Sequence, residues 1–332
     1  MMIKGLFLIL AVFLCSFIAC NAVSAASHTV VWSDKKDGGT NYHIYYKNLD
    51  TGTGGRVSSL NSNQKAPSIS GNIVVWQDDR DGAGYSHIYY KNLKTGSGGR
   101  VSSSQAAQEY PDISGYIVVW QDYRYVESRL FYKNLKTGHE GRISNSDSYQ
   151  YNPHISGTKV VWVDDRDMDT ETYEHVYYKN LATGQGGRVS GVNSYQQDPD
   201  ISGDIVVWTD NRDGSDWHIY YKNVSTGTGG RASTFESNQN SPRISGNTVI
   251  WNDGRDEEGG DYHLYYKNLE TGKGGRVSYS NSDQYSQNVS NGIVVWLDNR
   301  TGAYLIYYKN LVSGAGGRVT SSNLAQYDPA IG

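Results

Sequence analysis

The sequence predicts an all-β fold, a seven-bladed β-propeller of four-stranded antiparallel blades, and three observations lead there. Seven tryptophans, Trp32, Trp76, Trp120, Trp162, Trp208, Trp251 and Trp296, mark near-identical copies of one segment. Within each copy, four strand signals alternate with turn signals. The copies are also circularly offset: the first lacks its opening strand, and the last residues supply one. A fixed period in the forties with strand-rich content reads as one propeller blade per copy.

The second copy serves as the type. Strand A is expected around Pro67–Ser70. A Gly71-Asn72 turn suits the two-residue hairpin loops that need positive φ, and it leads into strand B, Ile73–Asp78. A longer loop reaches strand C, His87–Asn92, and a second turn leads into strand D, Gly99–Ser103. Strands B and C are apolar or aromatic on both faces, which suits sheets packed between neighbours. The ends imply closure. His28-Thr29-Val30-Val31-Trp32 is strand B with no strand A before it, and Asp328-Pro329-Ala330-Ile331-Gly332 is strand A with nothing after it. The C-terminus should therefore complete the blade that the N-terminus begins, leaving no unpaired edge.

Composition agrees. Hydrophobic residues make up only 37% of the 332, yet aromatics reach 12%, with 28 Tyr and 8 Trp. Large rings supply buried area that scarce Leu and Ile do not. A net charge of −4 gives no nucleic-acid footprint. Residues 1–25 read as a signal peptide: Lys4, an apolar run Gly5–Ala19, and Val23-Ser24-Ala25 before cleavage. Residues 26–332 form the propeller, exported, with no membrane span once the signal is removed, and monomeric. Both cysteines, Cys15 and Cys20, fall in the signal, and a lipid anchor at Cys20 is the lesser alternative.

Copies of the type PxISGxIVVWxDxRDGxxxxIYYKNLxTG resemble the TolB-like propeller repeats of archaeal and bacterial cell-surface proteins. The resemblance covers nearly all of residues 26–332 and implies a propeller, leaving function open. Ile-Ser-Gly stands where many such repeats carry Trp-Ser-Pro-Asp-Gly.

Near-identity between copies separates architecture from candidate sites. The seven Trp read as core. His43, His87, His175, His218 and His263 share one strand-C position and read as structural. Asp78 and Arg80, with their equivalents, read as ion pairs or loop caps; calcium in the DxRDG loops is the lesser alternative, because an Arg between the acids opposes a cation. Each Lys-Asn at the end of strand C reads as turn chemistry. Gln64, Gln108, Gln150, Gln196, Gln239, Gln284 and Gln326 are placed on the D–A loop, as backbone supports or a polar collar.

Variation concentrates on the face where loops D–A and B–C open. The position after proline reads Ser68, Asp112, His154, Asp200, Arg243, Asn288 and Ala330. Tyr110, Tyr151 and Tyr327 come from the D–A side, and Tyr85, Tyr173, Trp217 and Tyr262 from B–C. The candidate ligand face is therefore Asp112, His154, Asp200, Arg243, Asn288, Tyr110, Tyr151, Tyr327, Tyr85, Tyr173, Trp217 and Tyr262. A polar, aromatic-rich face suits a glycan or a protein of the cell envelope. No catalytic residue, metal ligand or cofactor is assigned. The alternatives are a carbohydrate-active enzyme, drawing paired carboxylates from Asp112, Asp198, Asp200 and Asp328 or a histidine such as His154, and a structural surface coat.

Overall fold

A computed structural model of the chain describes residues 28–35, 38–82, 84–168, 173–256 and 262–332. The signal peptide, its cleavage point and both cysteines lie outside the described residues.

Seven separate four-stranded antiparallel sheets are present, each in the order A-B-C-D. In the second blade, strand A is Gln64–Ser70, B is Ile73–Asp78, C is His87–Asn92 and D is Gly98–Arg100. Strand A of the first blade is the C-terminal Gln326–Ile331, paired antiparallel with strand B, Thr29–Asp34. Thr29 N–H donates to the Gly332 carbonyl at 3.0 Å, and Gly332 N–H donates back at 3.1 Å. The expected closure is the observed one.

Both hairpin turn types follow from their residues. Gly71 and its equivalents have positive φ at the first turn position alone, whereas Asn291-Gly292 has φ of 49° and 78°. Strand D packs close: a Cβ on Gly98 would lie 2.4 Å from the Tyr90 carbonyl oxygen, so a larger residue there needs the backbone to shift, and only blade three, with Glu140, carries one.

The core lies between blades. One cluster joins Val31, Ile44 and Val57 of the first blade to Ile69, Val74, Trp76 and Tyr89 of the second, and the pattern continues around the ring. The marker tryptophans are no more than 3% exposed. Each indole N–H donates to the aspartate two residues on, as Trp76 Nε1 does to Asp78 Oδ2 at 2.8 Å. Asp78 also accepts from the Arg80 backbone N–H at 3.0 Å and pairs with the Arg80 guanidinium. The ion-pair and capping readings of this motif are thus combined in one residue. Asp81, the second acid of DxRDG, is already held by the Tyr89 hydroxyl at 2.8 Å, His87 Nδ1 at 2.7 Å and Arg100 at 3.2 Å.

Four expectations need correction. Strand A begins at Gln64, not near Pro67, because a bulge between Lys65 and Ser68 lets the ladder pass the proline, which has no N–H to pair. Gln64 is therefore a strand residue, fully buried, and it links blades: Oε1 accepts from Ile44 N–H of the preceding blade at 3.3 Å, and Nε2 donates to Asp78 at 3.0 Å. The strand-C lysines are not turn residues. Lys91 Nζ donates to the Val57 carbonyl of the preceding blade; only the following Asn92 caps the turn, accepting from Lys94 and Thr95 N–H. Strand D is also shorter than expected, because the Ser102 hydroxyl accepts from Ser104 N–H and turns the chain out of the sheet.

Candidate functional site at the channel mouth

All six prolines of the chain, Pro67, Pro111, Pro153, Pro199, Pro242 and Pro329, sit at the strand-A bulge of six blades, and Gln287 takes the seventh place. The residue before each is left-handed: Ala66, Tyr110, Asn152, Asp198, Ser241, Ser286 and Asp328 have φ between 47° and 52°. For residues other than glycine this costs on the order of 1–3 kcal/mol each. The surrounding ladder enforces it, since strand A re-enters register at Ser68 opposite Val75. Because it recurs on every blade, the bulge is architecture. Its effect is to turn the residues beside it toward the axis.

Those residues meet in a cavity of about 380 Å³. Tyr110, Asp112, His154, Arg243 and Asn288 of the sequence-derived face line it, together with Asp198, Asp328 and Gln287. His154 Nδ1 lies 3.5 Å from Asp112 Oδ2 and 3.8 Å from Asp200 Oδ1.

The two carboxylates beside His154 are tied into the ring wall. Asp112 accepts from the Ser68 hydroxyl at 2.7 Å, from Ile113 N–H at 2.9 Å and from Ile155 N–H of the next blade at 2.9 Å. Burial acts to raise its pKa, but His154, Ser68 and Ile155 outweigh burial and hold it below the usual carboxylate range. Asp200 accepts from Ile201 N–H and from Ile244 N–H of the next blade, both at 2.8 Å. There burial wins over His154 and Arg243, and the carboxyl is pushed up. Burial also raises Asp328, against two long contacts from Ala66 N–H and the Ser33 hydroxyl. Arg243 Nη1 donates to the Pro242 carbonyl at 2.8 Å.

Gln287 stands where the other six blades carry proline. It is 4% exposed. Its Nε2 donates to the Ser241 carbonyl of the neighbouring blade. A carbonyl only accepts, so the amide orientation is fixed and Oε1 faces away from it. No donor among the described residues reaches Oε1. A buried acceptor left unpaired costs about 1–3 kcal/mol. The available signal was the single break in an otherwise complete ring of prolines.

The other rings of the expected face do not reach this cavity. The Tyr151 hydroxyl donates to Glu174 at 2.7 Å, Tyr173 packs edge-on against Tyr195, and Tyr327 packs edge-on against Tyr42. Trp217 is half-buried on its B–C loop, where its backbone N–H donates to Asn238 Oδ1, and Tyr262 is half-buried with its N–H donating to Asp283 Oδ1. Tyr85 is 54% exposed on a B–C loop. A second hollow of about 180 Å³ lies between Tyr42, Tyr327, Lys65, Ser33 and Asp328. Two further histidines also stand outside the repeated position: His28 pairs with Asp50, and His139 contacts the Tyr132 hydroxyl. Among the described residues no group of three or more His, Cys, Asp or Glu is arranged to hold a metal ion, and no helix is long and apolar enough to cross a membrane.

The fold is that of a TolB-like seven-bladed propeller. TolB from Acinetobacter baumannii matches with a TM-score of 0.56 at 13% identity, over 92% of this chain and 66% of that one. The β-propeller domain of the Trilobed protease from Pyrococcus furiosus, described as an open velcro topology, matches at 0.67 and 14% identity, over 89% of this chain and 93% of that one. Pyrococcus horikoshii acylaminoacyl peptidase matches at 0.64 and 13% identity, over 89% of this chain and 51% of that one. This chain thus spans just under two thirds of that TolB and about half of the peptidase. Identities at this level show a shared fold alone. No protein-family model and no curated protein matches the chain.

Proposed function

We propose that the chain is a non-catalytic binding module, exported to the cell surface or beyond, that takes a segment of an envelope glycan or protein at the channel mouth. One observation carries this reading. The position after proline changes from blade to blade while its neighbours repeat, and Ser68, Asp112, His154, Arg243, Asn288 and Ala330 converge on one cavity. Sevenfold architecture does not require that variation, but recognition of an asymmetric ligand does.

A binding role fits the carboxylates better than acid–base catalysis does. Asp112 and Asp200 each accept backbone N–H donors from two blades, which commits lone pairs that a general base would need free. Export rests on the apolar N-terminal run.

The test is saturable binding of envelope fragments and arrayed glycans to residues 26–332, compared with Arg243→Ala and His154→Ala. Arg243 and His154 both bear polar groups on the cavity. The expected result is binding that weakens at least about tenfold in either variant, the loss of one polar contact. Equal binding by wild type and both variants would remove the mouth as the site. Turnover of any bound fragment would remove the non-catalytic reading.

A further inference from the structure

We infer that the channel mouth selects a protonated primary amine. This rests on the mouth being the binding site and names the chemistry it takes. The geometry points to a ligand rich in N–H donors for three reasons. Carboxylates dominate the lining: Asp112, Asp198 and Asp328 face the cavity, against one permanently charged cation, Arg243. The rim is poor in donors, because proline has no N–H and six of the seven bulges carry one. The third reason is independent of charge. Gln287, 4% exposed and lining the cavity, holds an amide oxygen with no donor among the described residues.

These features complement one another. An ammonium group brings three donors and a positive charge to a site that offers acceptors and a net negative potential. Gln287 adds a buried neutral acceptor without a donor, its Nε2 being held on the Ser241 carbonyl. Asp198 supplies charge at the left-handed position of the fifth blade. An anionic ligand would meet one arginine and at least three acids. Acetylating the amine removes both the charge and two donors, so the site should reject the acetylated form.

Two ligand pairs that differ only in acetylation test this by calorimetry: a lysine tripeptide against its side-chain-acetylated form, and a glucosamine tetramer against its N-acetylated form. The pairs also separate a peptide source of the amine from a sugar source. The expected result is that at least one free amine binds, at least about tenfold tighter than its acetylated partner, with affinity falling as NaCl rises. Gln287→Pro installs the residue found on the other six blades, after a Ser286 already at φ 50°, so it should fold. It should weaken the amine about tenfold. Asp198→Asn suits the left-handed position and should weaken it while flattening the salt dependence. The inference is overturned if neither free amine binds, if acetylated and free forms bind equally, or if both variants bind as wild type does. Envelope-fragment binding that still depends on Arg243 would, in those cases, leave the binding-module reading standing.

Discussion

Lys91 Nζ donates to the Val57 carbonyl at 2.7 Å, and the two residues belong to different blades. Six equivalent bonds complete a belt around the ring, from Lys47 on Val319 to Lys309 on Val277, all between 2.6 and 2.8 Å. Each ties the end of strand C to the chain just after strand D of the blade before it. Lys91→Met keeps the aliphatic stem and removes the donor. A charged hydrogen bond of this kind is worth about 1.5–3 kcal/mol when its acceptor is shielded, and less where water can substitute. Thermal denaturation of Lys91→Met should show a lower Tm than wild type. An unchanged Tm would reduce the belt to a surface decoration.

Asp78 concentrates more of the blade than any lysine does. It is fully buried and joins Trp76, Gln64 and Arg80. Asp78→Ala removes the shared acceptor of four donors, the Trp76 indole, Gln64 Nε2 and the backbone N–H and guanidinium of Arg80, and should cost about 3–5 kcal/mol. Asp78→Asn retains an acceptor for the indole and should cost less. Urea midpoints for the two variants separate the cases, and equal small effects would show that the carboxylate is dispensable.

Stability should fall at both pH extremes for different reasons. At the acid end, burial acts to raise Asp78, Asp164, Asp210 and Asp253, but their arginines, serines and indoles outweigh it and hold each carboxyl below its ordinary 3.8. A depressed folded pKa contributes stability above the unfolded value, and that stability is lost as pH falls through the folded one. At the alkaline end, burial and then the neighbouring Asp81 and Asp256 push Tyr89 and Tyr265 up to about 12. A raised folded pKa contributes stability that is complete below the free tyrosine value of 10 and lost as pH rises toward 12. The Tm profile should therefore bend down below about pH 4 and above about pH 10. Tyr89→Phe should make the alkaline bend shallower, whereas a Tm that stays level to pH 11 would contradict the tyrosine account.

The ring was legible because its signals are local: a period, a strand alternation, a two-residue turn. The same local rules failed where one blade reaches another. The lysine and glutamine positions repeat visibly, but their partners lie 20 residues or more away on a neighbouring sheet, as with Gln64 on Ile44 and Lys179 on Ile143. The rule that the residue before proline is extended points the wrong way at Tyr110 and Asn152, where the bulge forces a left-handed turn. Blade three carries a compensated set that the repeat could have revealed. Tyr125 stands where Asp81 stands in blade two, Phe131 replaces Tyr89, and Arg129 replaces His87. With the acid gone, its hydroxyl and imidazole partners are gone as well, and Tyr125 stacks on Phe131 instead. At the mouth, the position after proline was legible as the varying one. The outer tyrosines lie apart from this cavity, Tyr173 edge-on to Tyr195 and Tyr327 edge-on to Tyr42.

Closure gives the last prediction. Among the described residues, Gln326–Ile331 alone pairs with strand Thr29–Asp34 on its inner side, and Ile331 packs with Val30, Trp32 and Val295. Gln326 also repeats the inter-blade link, accepting from Ile306 N–H at 3.0 Å and donating to Asp34 at 3.2 Å. Deleting residues 325–332 would expose a row of unpaired N–H and C=O groups on an apolar strand beside a packed core. Such an edge invites pairing with a second chain. The truncated chain should lose more Tm than either point variant of the belt or hub, and it should associate as its concentration rises, measured by light scattering. A monomeric truncation with the wild-type Tm would mean that the first blade holds its place through its packing alone, and that the terminal pairing is incidental to the ring.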